Sequence, residues 1–253
     1  RSKMGLFVPI KTSRLTVISK TAVQRPVVLA CDTSTKVGSI ALLEGDVITA
    51  ESMLLSDGNS HSRRILDDIA HMLQSRKLTP ADIDLIVSSV GPGSFTGVRI
   101  AMASMKGLAL SLNRPMVGVS SLLALATPHL GKTAPVMAAL DAKKNEVYAA
   151  FYDSSGNELI APTISSPNEF ANQVASICPT GPVLAVGEGI TAWRQAFLAA
   201  LPQRITFAAA HENYVKAAVM AVLGSKLPHA DVATLEPMYL RRSEAEIKLQ
   251  KKR

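Results

Sequence analysis

The residues whose types and spacing carry the most chemistry are Gly91-Pro92-Gly93-Ser94-Phe95-Thr96-Gly97. They close one apolar run and open a helix-forming one. Backbone N–H groups at such a junction point outward, and the helix dipole favours an anion, so the loop is a candidate phosphate cradle. It lacks the Gly-Lys-Ser/Thr of a P-loop, and Ser94 does not stand in a nucleophile elbow. The same glycines suit a sharp turn with close packing, and spacing does not choose between the two. Asp32, followed by Thr33 and Ser34, ends another apolar run. It is placed either to hold a metal-bound water, to act as a base, or to cap its own turn. Asp141 occupies the matching place in the second half.

Metal and nucleophile chemistry find little support. The five histidines are His61, His71, His129, His211 and His229, and no two are four residues apart, so no helical His-x-x-x-His pair exists. Cys31 and Cys178 have no neighbouring ligands and cannot build a disulfide framework. They fit small core residues in a reducing compartment. No Ser/His/Asp set is recognisable from sequence order.

Several elements must position these residues. Val27–Cys31 and Val37–Leu43 read as a hairpin, and Val47–Leu55 as a third strand. Ser60–Arg76 has apolar residues at Ile65, Leu66, Ile69, Met72 and Leu73, which is helical spacing. Ile83–Val90 is a buried strand, and the Gly91 loop then feeds a helix that ends at Asn113, ahead of Arg114-Pro115. A strand at Met116–Val119 and a short helix at Ser120–Ala126 complete a β-β-β-α-β-α-β-α order. The second half repeats it, with strands at Pro135–Asp141, Asn145–Tyr152 and onward to Ile160. Helices are predicted at Pro167–Ile177, Thr191–Leu201 and Asn213–Leu223, with a strand at Pro182–Val186 ending in Gly187-Glu188-Gly189, and a charged helical tail. This is the pattern of a duplicated α/β fold, two layers with a cleft between them. Expected boundaries are 1–25 as an extension, 26–128 and 129–240 as two lobes with the last helix returning to the first, and 241–253 as a charged tail.

The helix after the glycine loop has small residues on one side. Gly97, Ala101, Ser104, Leu108 and Ser111 recur at spacings of four and three, beside Ile100, Ala103, Gly107 and Leu110. A stripe of small residues lets another backbone approach closely, either the domain's own sheet or a second subunit.

The chain has 253 residues and a formal charge of +7, from 27 Lys+Arg against 20 Asp+Glu. A 47% hydrophobic content excludes a disordered chain, and no uncharged stretch reads as a membrane span. The basicity lies at the ends. Residues 1–25 carry six basic residues and no acid, whereas 26–240 hold 15 basic and 18 acidic residues. The body therefore does not support the nucleic-acid-binding reading that a pI near 9.5 invites. Residues 1–25 are Ser/Thr-rich and weakly amphipathic, and fit either an organellar transit peptide or a cloning-derived remnant ahead of a natural extension.

Taken in order, LACDTSTKVGSIALL, GPGSFTGVR, MVGVSSLLALA, LDAKKNEVYAAFY, AVGEGITAW and EPMYLRR resemble the bacterial TsaB (YeaZ) family over residues 26 to 242. The resemblance implies the duplicated actin/hexokinase/Hsp70-type (ASKHA) α/β fold, two lobes with mixed sheets. It implies a noncatalytic role in making threonylcarbamoyladenosine beside the tRNA anticodon, next to the catalytic relative TsaD and with the ATPase TsaE. TsaD-like chains carry two histidines where this chain has Ser121 and Leu125, so the resemblance implies no metal and no transfer chemistry here. It further implies a partner-binding face at Gly97, Arg99, Ala101, Ser104, Met105, Leu108 and Ser111, with Ile65 and Ile69. Ala101 is then the position where a large ring should abolish pairing and leave the fold intact. The candidate turn or phosphate loop comprises Asp32, Thr33, Ser34, Gly91, Gly93, Ser94 and Gly97. The chain would pair with itself when alone, reach tRNA only indirectly, hold no cofactor of its own, admit ATP or ADP at the partner contact, and work in the cytoplasm. One departure is the missing Pro after Ile65-Leu66, where Asp67 stands. Two other classes compete: a nucleotide-using enzyme of the same fold, kinase- or ATPase-like, and a peptidase-like protein.

Overall fold

The computed structural model describes residues 25–55 and 61–241. The expected extension and charged tail therefore lie, except for Arg25 and Arg241, outside the described residues.

Two five-stranded mixed sheets repeat one plan. The first, in the order β3-β2-β1-β4-β5, uses β1 (Val27–Asp32), β2 (Val37–Glu44), β3 (Val47–Leu55), β4 (Leu85–Gly91) and β5 (Met116–Ser120). The second, β10-β9-β6-β7-β8, uses β6 (Val136–Lys143), β7 (Glu146–Tyr152), β8 (Glu158–Ser165), β9 (Val183–Val186) and β10 (Ile205–Phe207). In each, an antiparallel meander of three strands is extended by two parallel strands reached through helices. This is the duplicated ASKHA-type α/β arrangement.

The central strands β1, β2 and β6 are buried on both faces, and alternation sorts their side chains into separate cores. Val27, Leu29 and Cys31 join Ile40 and Leu42 under α1 (His61–Ser75) and α2 (Phe95–Leu112). Val28 and Ala30 join Ala41 and Leu43 in a core shared by both lobes. In the second lobe, Met137 and Ala139 pack under α4 (Pro167–Ile177), α5 (Glu188–Ala192) and α6 (Arg194–Ala200), while Val136, Ala138 and Leu140 enter the shared core. The shared core is filled by α3 (Ser121–Ala126) and α7 (Ala217–Gly224). α3 leaves the first sheet and packs on β6 and β7, and α7 comes back from the second lobe to lie on β1, β2 and β4. α7 is apolar throughout; Ala217, Met220, Ala221 and Gly224 are buried, while Val222 is exposed. Ser39, inside β2, ties it down: its Oγ donates to Val215 O (3.0 Å) and accepts from Ala217 N (2.8 Å).

Some local readings differ. The predicted helix over 191–201 is two short helices broken at Trp193, and the last helix begins at Ala217 rather than Asn213. Residues 213–216 have other work, since Asn213 Oδ1 accepts from Gly187 N at 2.7 Å. β10 was not expected; its three residues pair parallel to β9.

Candidate partner face and interlobe cleft

α2 begins at the N-cap Ser94, whose Oγ accepts from Gly97 N (3.2 Å), and ends at Asn113, which adopts the left-handed conformation at φ 52. Its first turn sits directly against the loop that joins β1 to β2. A Cβ on Gly93 would stand 2.3 Å from Ser34 O, and one on Gly97 1.9 Å from Thr33 O. Thr33 Oγ1 donates to Gly97 O (2.7 Å), and Ser94 N donates to Ser34 O (2.7 Å). The geometry therefore fits close packing rather than a phosphate cradle. Ser94 N and Gly97 N already have protein acceptors, and the neighbouring loop fills the space an anion would need.

Asp32, at the end of β1, is fully buried. Its Oδ1 accepts from Ser34 N at 3.1 Å, which is the turn-capping role. Its Oδ2 and the hydroxyls of Ser34 and Ser89 have no partner in hydrogen-bonding geometry. Burial raises the Asp32 pKa; the adjacent Ser89 and Ser34 hydroxyls and the Ser34 N–H act in the opposite direction and do not cancel it.

Asp141 is held differently. Burial acts to raise its pKa, but the side chain and N–H of Lys143, with the charges of Lys143 and Lys36, together hold it below the usual range. Asp141 Oδ1 accepts from Lys143 N at 2.9 Å, and Oδ2 pairs with Lys143 Nζ. Glu188, at the start of α5, has its pKa raised by burial and then by the charge of Asp141; Lys143 and Lys36 offset this in part, and Asp32 adds to it. Charges of the first hairpin, Lys36 and Asp32, thus contribute in a minor way to the titration of the second lobe's acids. Lys36, Lys143 and Glu188 have no individual role legible in the sequence, although Glu188 stands in Gly187-Glu188-Gly189 and Lys143 in LDAKKNEVYAAFY. Gly187 and Glu188-Gly189 repeat the first-lobe packing device: a Cβ on Gly187 would lie 2.2 Å from Ala139 O.

The partner-face residues divide. Gly97, Ala101 and Met105 are buried, and Ala101 and Met105 belong with Ile65 and Ile69 to the first lobe's own core. They cannot be offered to a partner, and a ring at Ala101 would disrupt the lobe rather than spare it. Ser104 and Leu108 are half-buried, while Arg99 and Ser111 are exposed. The outward side of α2 instead runs through the neighbouring stripe: Ile100 at its margin, then Ala103, Gly107 and Leu110, the last 68% exposed. A Cβ on Gly107 would meet nothing within 4 Å. On α1, Leu66 and Ala70 are exposed. At the start of α2, the Arg99 guanidinium lies 3.7 Å from the Phe95 ring centroid, and its Nε donates to Tyr239 Oη at 2.7 Å. Phe95 and Tyr239 lie in the GPGSFTGVR and EPMYLRR segments but have no individual role legible in the sequence, because neither falls in a periodic pattern with a partner.

Ser121 and Leu125 both point inward. Ser121 Oγ donates to Pro92 O, and Leu125 is part of the shared core. Among the described residues, no three His, Cys, Asp or Glu side chains gather as metal ligands would, and no helix is long and apolar enough to cross a membrane. His129 is buried with Nε2 unpartnered; burial lowers its pKa, and Lys132 and Lys216 act the same way while Glu212 opposes them.

Comparison with known proteins gives a consistent picture. Residues 57–249 match the family model described as TsaD, tRNA N6-adenosine threonylcarbamoyltransferase. The tRNA threonylcarbamoyladenosine biosynthesis protein TsaB of Bacillus subtilis is 32% identical over 223 residues, covering 87% of this chain and 96% of that protein. The protein of the same name from Escherichia coli is 31% identical over 232 residues, covering 88% and 97%. Among solved structures, one described as YeaZ from Pseudomonas aeruginosa superposes with a TM-score of 0.69 at 26% identity, covering 85% of this chain and all of that one. Another, described as an uncharacterized protein with similarity to peptidase YEAZ from the same organism, gives a TM-score of 0.71 at 26% identity, with the same coverage.

Proposed function

The chain belongs to the TsaB (YeaZ) family, and on that premise we propose that it serves tRNA threonylcarbamoyladenosine biosynthesis as a noncatalytic subunit. In this reading it docks on a TsaD transferase through the outward stripes of α2 and α1 and helps to recruit TsaE. Alone it pairs with a second copy; it reaches tRNA through TsaD; ATP or ADP lodges at the partner contact; and it acts in the cytoplasm. The observation that carries the role is the near-full-length likeness to two TsaB proteins. Two features of the site support the finer reading. Ser121 and Leu125 stand inside the core where an open metal centre would need imidazoles facing a substrate. Small residues at Ala103 and Gly107 leave the middle of α2 open to the close approach of another helix.

The test is a reconstituted reaction with TsaD, TsaE, the carbamoyl-adenylate supplier, ATP, threonine, bicarbonate and tRNA. Modified adenosine should form with this protein and fall to background without it. Modification by the isolated chain, or undiminished modification in its absence, would overturn the reading. Gly107→Trp sharpens it: the ring has room in the free chain, so the melting temperature should hold within a few degrees while co-purification with TsaD is lost. A second reading, a nucleotide-using enzyme, would draw on Lys36, Asp141, Lys143 and Glu188, whose charges influence one another. ATP turnover by the isolated chain would support that alternative.

A further inference from the structure

The stretch after α7 is not helical, and it crosses the molecule. Ala230 N donates to Met116 O (2.9 Å) at the free edge of β5, and Val232 and Leu235 pack against the first-lobe core. Met238 N donates to Val90 O (2.7 Å) at the end of β4. Tyr239 is fastened to the start of α2 through Arg99, and its ring centroid lies 5.4 Å from that of Phe95. Two residues on, Arg241 reaches the other lobe: Nη1 donates to Ala142 O (2.8 Å), and Nη2 pairs with the Glu146 carboxylate. Ala142 and Glu146 flank the β6–β7 tip, where Lys143, Lys144 and Asn145 all take positive φ, at 61, 54 and 61.

We propose that residues 230–241 form an interlobe strap with Arg241 as its clasp, so that releasing Arg241 frees the β6–β7 hairpin and lets the cleft open. Three observations carry this. The strap is anchored to the first lobe along its length, but Arg241 alone among its described residues bonds to the second, so the restraint is concentrated at one guanidinium. The tip it grips is the tight turn of the β6–β7 hairpin, with Lys144 and Asn145 between the paired Lys143 and Glu146, so Arg241 holds the two strand ends on either side of that turn. Under the strap, Gly93, Phe95 and Val98 of the first lobe and Tyr148 of the second line a small crevice that Met238, Tyr239, Leu240 and Arg241 also line, so the strap touches both lobes at that point. The clasp is releasable, because its two side chains keep 22% and 39% exposure and the pair is screened by salt. α3 and α7, enclosed in the shared core, remain as the hinge.

The inference is independent of the proposed partner. It is tested on the full chain in a Cys178→Ser background, with spin labels at Gln74→Cys and Gln173→Cys, two exposed positions on the outer helices α1 and α4. Cys31 is buried and its thiol pKa is pushed up by burial and then by Asp32, so it stays unlabelled. Arg241→Ala should broaden the interlobe distance distribution towards longer values and raise the hydrogen-exchange rate of the Met238 amide about tenfold. Glu146→Gln should do the same to a smaller degree. Arg241→Lys, which keeps the charge but not the two-pronged geometry, should fall between wild type and Arg241→Ala and guards against a folding failure. An unchanged distance distribution in both Arg241→Ala and Glu146→Gln would overturn the proposal. Faster strap exchange with unchanged interlobe distances would overturn it too, since the segment would then be surface packing alone.

Discussion

The two hairpins that open the lobes occupy the same place in a duplicated topology and have reached opposite states. The β1–β2 loop is sealed under α2. Asp32 within it is fully buried, and its pKa is raised, chiefly by burial. The β6–β7 tip is fastened from outside by Arg241, and Asp141 within it is held low by Lys143 despite its partial burial. A repeated backbone therefore does not repeat the electrostatics at its strand ends. What surrounds each aspartate decides its chemistry: one is enclosed with its loop beneath an α-helix, and the other is paired with Lys143 of its own hairpin.

The largest effect should come from breaking the seal on the first hairpin. Gly97→Ala would place a Cβ 1.9 Å from Thr33 O, and neither the α2 backbone nor the loop can yield without losing the Thr33–Gly97 and Ser34–Ser94 bonds. A loss of about 3 kcal/mol or more is expected in urea denaturation. Gly107→Ala on the same helix meets open space, and should instead stabilise by about 0.5–1 kcal/mol. Equal effects at the two positions would mean that the loop does not lie against the first turn of α2.

A smaller effect of opposite sign is expected at Asp32. A carboxyl whose folded pKa stands above its ordinary 3.8 binds a proton more readily in the folded state. Folding stability therefore falls as pH rises from about 3.8 to the folded pKa, and the deficit persists at neutral pH. Asp32→Asn keeps an oxygen for Ser34 N, adds a donor beside the unpartnered Ser89 and Ser34 hydroxyls, and removes the buried charge. It should raise stability at pH 7 by about 1–3 kcal/mol and have little effect at pH 3, as read from urea midpoints at the two pH values. A destabilised Asn variant at pH 7 would show that the charge itself is needed.

Much of this architecture could be read from the residues, and the failures have physical causes. The apolar runs of β1 and β2 and the 3.6-residue spacing of α1 are strong signals, and α4 runs from Pro167 to Ile177 as predicted, with Ser166 capping it and proline at its start. β10 is three residues long and held by a parallel neighbour, so it has no local pattern to detect. Trp193 divides α5 from α6 with neither proline nor glycine at the break. The small-residue character of α2 was legible, but not which stripe faces outward. The stripe through Ala101 and the one through Ala103 have similar composition, and only the packing of Met105 and Ala101 against Ile65 and Ile69 settles the choice. The strap was seen only as part of a family resemblance. Its contacts lie 95 to 148 residues away in sequence and have no period.

The smallest effect should come from the second hairpin, and it completes the contrast. The folded pKa of Asp141 lies below 3.8, so its contribution to stability is present above that ordinary value and is lost as pH falls through the folded pKa. The Lys143 side chain is 66% exposed, so most of this interaction is screened by water. Asp141→Asn keeps an oxygen for Lys143 N and loses the ion pair. It should cost about 0.5–1 kcal/mol at pH 7, shrink further in 0.5 M salt, and vanish near pH 2. The two aspartates would then show opposite pH slopes in otherwise matched positions: removing the first flattens a stability curve that falls with rising pH, and removing the second flattens one that rises. If both variants shifted the curve in the same direction, burial at the first hairpin and Lys143 at the second would not be what sets the two charges, and Asp32 would have to be ionised and paired in the folded protein.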